Sequence, residues 1–157
     1  MIAASVCGLP VASCNDVSGP DTVFVGATGL PVVEQPLVQG QSSLRAATIG
    51  LYAESDIAVP ATARVGEPVT LRVTTYSGGC IGEDKTEVRT VGQEADIVPY
   101  QRIYSPKAGQ ACTSELRITP RAVSLVFMTV GTATVTIAGR VRPDSGIVRV
   151  VRTVVVR

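Results

Sequence analysis

The sequence predicts an all-β domain, folded as an antiparallel β-sandwich of about seven strands. Residues 69–73 and 133–137 alternate apolar and polar side chains with the period of a half-buried strand, and residues 123–127 place Val123, Leu125 and Phe127 on one face with the same period. Fifteen glycines and ten prolines in 157 residues supply many turns, which favours hairpins over helices. Because there is no Trp and aromatic residues make up only 4%, we expect a core of Val, Ile, Leu and Ala.

The first fourteen residues carry no charge and are too short to span a bilayer, but their apolar character is typical of a secretory signal. Residues Val11-Ala12-Ser13-Cys14 resemble the lipobox of bacterial lipoproteins. That resemblance implies cleavage before Cys14 and lipidation of its thiol. Residues 1–13 would then be a signal segment, truncated because its basic start is missing. The alternative is an ordinary apolar strand in which Cys7 and Cys14 occur by chance.

Residues 14–43 are rich in Gly, Pro, Gln and Ser, a composition that favours a tether between the anchor and a folded domain. Two short apolar runs within it, residues 23–25 and 32–33, could dock as edge strands. Residues 44–59 favour a strand over a helix, because Gly50 would interrupt a helix and an extended run leads into Pro60. The domain is therefore expected to cover residues 44–157.

The clearest strand follows a turn at Gly66-Glu67-Pro68. This turn leads into an alternating Val-Thr-Leu-Arg-Val strand, and the combination resembles the second strand of bacterial immunoglobulin-like domains. The resemblance implies only the broad immunoglobulin-like architecture, over roughly residues 56–157 of this domain. Two features of antibody-type domains are missing, namely the buried Trp and a cysteine pair placed to bridge the two sheets.

The remaining elements of the domain follow from local composition. Residues 81–85 are predicted to be a polar turn and residues 86–91 a strand. Residues 95–104, which contain Pro99, are predicted to be an edge strand or an extended loop. In the closing strand Arg149 and Arg152 lie three positions apart, so we expect a β-bulge near residues 150–151 to restore the alternation.

The four cysteines are Cys7, Cys14, Cys80 and Cys112. If Cys14 is lipidated and Cys7 leaves with the signal, Cys80 and Cys112 remain as a pair. We expect this pair to form a disulfide in an oxidising compartment. Closing the loop between them would stabilise the fold by roughly 3–4 kcal/mol in the chain-entropy model.

Tyr76, Tyr100 and Tyr104 lie near this loop in sequence and form the candidate binding surface, since exposed Tyr is a common binding anchor. They could equally be half-buried strand residues. The sequence contains no His, which excludes His-based catalysis and His metal ligands. The acidic residues between positions 83 and 96 lack a calcium-binding spacing, so neither a metal nor a cofactor is expected.

The net charge of +1 provides no field that would attract nucleic acid. From residue 116 onward, however, seven Arg face a single acidic residue, Asp144. We expect these arginines to cover the solvent faces of the last strands. The alternative is a basic strip for phosphate, sulfated glycan or lipid head groups.

Together these features predict a non-enzymatic module of the bacterial cell envelope, outside the cytoplasm and attached to the membrane through a lipid on Cys14. Its role would be structural or the binding of a protein or glycan ligand. The alternative is a self-assembling surface-fibre subunit or adhesin, in which residues 23–25 or 32–33 pair with the open edge of a neighbouring copy. An enzyme or inhibitor that presents residues 81–111 is a third class.

Overall fold

A computed structural model of the chain describes residues 21–25, 31–50 and 54–157. These residues form twelve strands and one turn of 3₁₀ helix, Glu54–Asp56. The strands are β1 (Asp21–Val25), β2 (Pro31–Glu34), β3 (Ser42–Ala46), β4 (Thr48–Ile49), β5 (Ile57–Ala58), β6 (Thr62–Ala63), β7 (Pro68–Ser77), β8 (Ile81–Val91), β9 (Glu94–Tyr104), β10 (Arg117–Val126), β11 (Gly131–Arg140) and β12 (Ile147–Val156).

β1 and β2 form a two-stranded antiparallel sheet, and the other ten strands form one curled, mixed sheet. Its main order is β10-β7-β4-β11-β12-β6, and β9 pairs with β11, β3 and β8. The prediction of an all-β fold is confirmed. The sheet is not antiparallel throughout, because β11 runs parallel to β9 and β4, and β12 runs parallel to β6.

The longest parallel pair joins residues 94–97 of β9 to residues 134–137 of β11. β4 also pairs parallel with β11, through Thr48 and Arg140, and it is antiparallel to β7. β10 is antiparallel to β7 along its whole length. The three parallel pairs of the sheet therefore all involve β11 or β12.

The main core joins residues of β7 and β10 to residues of β9, β11 and β12. It is aliphatic apart from Phe127, as the composition predicts. The alternating segments supply most of it, and each buried side chain is at most 9% exposed. Its members are Ile49, Ile57, Ala63, Leu71, Val73, Ala95, Ile97, Val123, Leu125, Phe127, Ala133, Val135, Ile137, Val154 and Val156.

A second, smaller apolar cluster packs the N-terminal strands onto β9 and β11. Its buried residues are Val32, Ala46, Val98, Tyr100 and Ala138. β3 pairs antiparallel with β9 along its whole length. Packed structure therefore begins before residue 44, inside the segment that composition assigned to a tether.

A buried ion pair fixes the same region. The guanidinium group of Arg140 contacts the Glu34 carboxylate, and the two side chains are 7% and 12% exposed. Arg140 also donates to the carbonyl oxygen of Ser145. The expectation that the arginines after residue 116 cover solvent faces is therefore wrong for Arg140, because its charge is compensated by a carboxylate from β2.

β9 is a central strand, so the prediction of an edge strand or loop for residues 95–104 is wrong. Its first half pairs with β11 and its second half with β3, while β8 pairs along its other side. Pro99 lies where the partner changes from β11 to β3, and its carbonyl accepts a hydrogen bond from Ala47 N–H at 2.8 Å. The N–H that proline lacks would point into this gap, where no ladder bond is lost.

Two further local predictions are corrected. Residues 81–85 belong to β8, and the turn is instead at the glycines before Cys80; the ladder between β8 and β9 shifts register between Glu83 and Thr86. β12 contains no bulge, because its register with β11 is continuous from Ile147 to Val156. Arg152 keeps a core-facing register position, but its side chain is exposed and donates to the carbonyl oxygen of Val151 at 3.1 Å.

Candidate functional site

The turn between β7 and β8 depends on two glycines. Gly78 and Gly79 have φ angles of 143° and 61°, which side-chain-bearing residues rarely adopt. A Cβ atom at Gly79 would lie 2.6 Å from the carbonyl oxygen of Thr113, and a Cβ atom at Gly78 would overlap the carbonyl of Glu115. The glycines therefore allow the segment before β10 to lie directly against this turn.

The predicted disulfide between Cys80 and Cys112 is present, and its Cα atoms are 5.1 Å apart. It attaches the segment between β9 and β10 to the glycine turn. We call residues 105–116 the braced loop. Every residue from 107 to 116 is exposed, and Leu116 exposes 69% of its surface. The loop is thus a solvent-facing segment with a covalent attachment near its C-terminal end.

Hydrogen bonds hold the start of the braced loop. Ser105 N–H donates to the carbonyl of Gln41 at 3.0 Å, and Gly40 N–H donates to the carbonyl of Ser105 at 2.7 Å. Lys107 and Gln110 then close a turn, since Gln110 N–H donates to the Lys107 carbonyl at 3.0 Å. The loop is therefore fixed at both ends while its surface stays open to solvent.

Below the braced loop, Arg121 of β10 fills the interruption in the ladder between β8 and β9. Its guanidinium group is 10% exposed and contacts the Glu83 carboxylate. The other acceptors belong to β7, β8 and β9. They are the carbonyl oxygens of Asp84 (2.8 Å), Lys85 (3.1 Å) and Tyr100 (2.8 Å) and the hydroxyl oxygens of Thr75 (3.2 Å) and Thr86 (3.0 Å).

Gln101 completes this arrangement, and we call Thr75, Glu83, Gln101 and Arg121 the polar cluster. Gln101 is 2% exposed; its amide nitrogen donates to the Tyr76 carbonyl at 2.8 Å and to Glu83 at 3.2 Å. Burial would raise the pKa of Glu83, but hydrogen bonds from Gln101 and Arg121 outweigh it and hold the pKa below its ordinary value of 4.5. The cluster joins β7, β8, β9 and β10 through satisfied polar groups.

Charged side chains on β8 and β9 continue outward from the polar cluster. The backbone N–H of Lys85, together with the Arg102 guanidinium, lowers the pKa of Asp84. Glu87 raises the pKa of Lys85. The Lys85 ammonium also lies 5.5 Å from the centre of the Tyr100 ring. These surface pairs are solvent-exposed and add little to stability individually.

The structure does not bring the three candidate tyrosines onto one exposed surface. Tyr104 is 38% exposed, Tyr76 is half-buried and Tyr100 is fully buried. The Tyr100 hydroxyl accepts a hydrogen bond from Val33 N–H at 3.1 Å. Burial raises the pKa of Tyr100. Tyr100 thus fills the second apolar cluster, which agrees with the alternative reading of these residues as strand positions.

Arg121 and Gln101 are the important residues that sequence reasoning missed. Arg121 precedes the alternating segment 123–127 at an inward-facing position, where Ala122 and Ser124 face out. An arginine in phase with core residues is the signal that could have identified it, since a buried charge requires a partner. Gln101 gives no comparable signal.

Cys14, the predicted lipidation site, lies outside the described residues. Within the described ranges, no group of three or more His, Cys, Asp or Glu side chains is placed to hold a metal ion. The same part of the chain contains no helix with the length and apolarity needed to cross a membrane.

Comparison of the chain with protein-family models, curated proteins and solved structures gives no match.

Proposed function

We propose that this chain is a non-enzymatic, lipid-anchored module of the bacterial cell envelope, and that it presents the braced loop to a protein or glycan ligand. The Cys80–Cys112 disulfide carries the proposal, because disulfides persist mainly in oxidising compartments outside the cytoplasm. A loop held in one conformation before binding loses less entropy when a partner binds. The braced loop is held at its start by the hydrogen bonds of Ser105 and near its end by the disulfide.

The polar cluster supports a structural role for its ionisable groups. Arg121 directs its donors at carbonyl, hydroxyl and carboxylate oxygens of the chain itself. Glu83 accepts from Thr75, Gln101 and Arg121. The Arg121 guanidinium and the Glu83 carboxylate therefore hold strands together. Recognition of a ligand would fall to the exposed residues of the braced loop.

We further propose that this all-β domain is a variant of the immunoglobulin-like sandwich. The antiparallel pairs β7–β10 and β11–β12 on either side of one aliphatic core support it. The parallel β9–β11 pair is a departure from that arrangement.

The anchor would place the domain close to the membrane. Only residues 15–20 separate Cys14 from β1, and six extended residues span at most roughly 20 Å. The N-terminal hairpin would then face the bilayer. The anchor is tested by expressing the chain behind a basic signal start in bacteria fed radioactive palmitate.

The proposal expects label on the protein and partitioning into detergent. Cys14→Ser should abolish both, and Cys7→Ser is the matched control, since Cys7 would be removed with the signal. Thiol alkylation without reductant should leave Cys80 and Cys112 unmodified. If the wild-type protein carries no label and stays out of the detergent phase, the lipid anchor is ruled out. If Cys80 is alkylated without reductant, the location in an oxidising compartment is ruled out.

A second candidate is a self-assembling fibre subunit or adhesin that exchanges its N-terminal strands. It is favoured by one observation: β1 and β2 form a sheet of their own, and β2 packs on β9 through Val32 of the small second cluster. Polymers that disappear when residues 21–33 are deleted would support this candidate over the first.

A further inference from the structure

The open edge of β8 is an unused pairing surface. β8 pairs with β9, and within the described ranges no strand lies along its other side. Thr86 lies opposite Pro99, whose carbonyl points to Ala47 on the far side of β9. Alternate residues of a strand direct their N–H and C=O groups the same way. The backbone groups of Thr86, Val88 and Thr90 therefore point away from β9.

The other two long edges of the sheet carry features that oppose pairing. β10 contains Pro120, which has no N–H to donate to an added strand. β12 has Arg152 at a core-facing register position, with its guanidinium on the Val151 carbonyl, and β6 covers its end at Val155 and Val156. An arginine that would have to be desolvated protects an edge against pairing.

Residues 86–91, which we call the open segment, carry no such protection. They contain neither Pro nor Gly. Val88 is 42% exposed although it lies opposite Ile97, a fully buried residue of the main core. An exposed valine thus lies on the edge strand directly across from a core residue of β9. Arg121 bonds to the carbonyls of Asp84 and Lys85 just before this segment, so the free edge begins at Thr86.

We propose that the open segment pairs antiparallel with the open segment of a second copy of this chain, about a two-fold axis at Val88. Val88 would then face Val88 of the second copy, and Thr86 would face Thr90. The outward-pointing backbone groups are those of Thr86, Val88 and Thr90, so each of these pairs exchanges two hydrogen bonds, about six in total. The pairing makes one continuous sheet from two copies.

The charges of the open segment complement themselves in this register. Glu87 of one copy lies opposite Arg89 of the other, and the two-fold axis repeats the pair. Both positions belong to non-hydrogen-bonded pairs, where facing side chains approach most closely. The Glu87 side chain, which pairs with Lys85, is 31% exposed, and Arg89 is exposed, so both can reach a second copy. Opposite charges and Thr–Thr pairs both favour strand association.

The pairing can be tested by cross-linking the full chain. Cys7→Ser and Cys14→Ser remove the other free thiols, and Val88→Cys then introduces one at the proposed axis. The Cα atoms of a hydrogen-bonded antiparallel pair lie about 5.5 Å apart, which a disulfide can bridge. Mild oxidation should therefore give a covalent dimer of twice the 16.3 kDa monomer mass.

The matched control is Val91→Cys in the same background. Val91 is more exposed than Val88, at 53% against 42%, but lies three positions from the axis. Its copies would be roughly 20 Å apart, so it should stay uncrosslinked. Equal cross-linking of both variants, or of neither, overturns the proposal. A wild-type chain that sediments as a monomer up to about 1 mM, a concentration at which even weak pairing is populated, overturns it as well.

Charge reversal tests the register itself. Glu87→Arg and Arg89→Glu each place like charges opposite one another twice, and each should weaken the dimer about tenfold in sedimentation equilibrium. Equal mixing of the two variants, or combining both changes in one chain, should restore association. Glu115→Arg in the braced loop makes the same charge change elsewhere and should leave the dimer unchanged. If the wild type, Glu87→Arg, Arg89→Glu and Glu115→Arg all dimerise equally, the proposal is overturned. A dimer that is lost when residues 21–33 are deleted overturns it as well.

Discussion

The main core and the polar cluster both connect β7 and β10 to the strands opposite, but they use different interactions. The core does so through aliphatic side chains that are at most 9% exposed. The polar cluster does so through one arginine that donates to β7, β8 and β9. Apolar contacts are non-directional, so the core depends on filled volume. The polar cluster depends on every acceptor keeping its donor.

The largest expected effect is in the main core. Ile137→Ala removes a fully buried side chain of β11 and should lower the free energy of unfolding by about 4 kcal/mol, because it leaves a cavity. Val151→Ala on neighbouring β12, where the side chain is 54% exposed, should stay within about 0.5 kcal/mol. Denaturant unfolding monitored by circular dichroism measures both. Similar values for the two variants would mean that β11 does not face the core.

The disulfide sharpens the comparison, since it acts largely on the unfolded chain. The double substitution Cys80→Ala and Cys112→Ala opens a link across 32 positions and should cost about 3–4 kcal/mol. Ser114→Ala in the braced loop should cost nothing measurable, because this residue is exposed. The double variant should resemble the reduced wild-type protein in denaturant unfolding, and a much larger loss than that of reduction would contradict a role confined to loop closure.

The difference between the two regions also explains what the sequence could predict. Alternation correctly placed Leu71, Val123 and Ile137 in the core, since a period of two records one buried face directly. The disulfide followed from counting the cysteines that remain if Cys14 is lipidated and Cys7 is removed with the signal. Both signals are local or combinatorial, so neither requires knowledge of which strands become neighbours.

The polar cluster could not be predicted in the same way. Glu83 and Arg121 lie 38 positions apart, and they meet only because the β8–β9 ladder is interrupted opposite β10. The central position of β9 was missed because Pro99 is normally excluded from central strands. Pro99 is tolerated at the point where one neighbour replaces another, and a sequence does not record that point.

Arg121→Ala tests whether the polar cluster stabilises the sheet. It should cost about 3 kcal/mol, because it leaves Glu83 without its cation and three carbonyls without a donor. Arg117→Ala on the same strand is the matched control; its side chain is 64% exposed and pairs with Glu115, so the expected change is within about 0.5 kcal/mol. Arg121→Lys should fall between them, since lysine lacks the planar fork of donors. Equal losses for Arg121→Ala and Arg117→Ala would make the polar cluster energetically unimportant.

The smallest expected effect is a pH dependence of the free energy of unfolding, which the polar cluster should contribute and the main core should not. The pKa of Glu83 is lower in the folded protein than its ordinary value of 4.5. As the pH falls past that value, the unfolded chain takes up a proton while the folded carboxylate stays ionised. The stability that Glu83 contributes is therefore complete above its unfolded pKa and is lost as the pH falls through the lowered folded pKa. The main core, which contains no titratable side chain, adds no such dependence.

Glu83→Gln should consequently cost about 1.5 kcal/mol at pH 7, where it removes a charged hydrogen-bond acceptor for Arg121. The difference between wild type and variant should shrink as the pH falls through 4.5, where the unfolded carboxyl takes up a proton, and should approach zero only below the lowered pKa of the folded carboxyl. Glu115→Gln, whose side chain is 45% exposed, should show no comparable change. Urea unfolding at a series of pH values measures the difference. A difference that stays constant from pH 7 to pH 3 would mean that Glu83 acts through packing alone and that its charge does not stabilise the polar cluster.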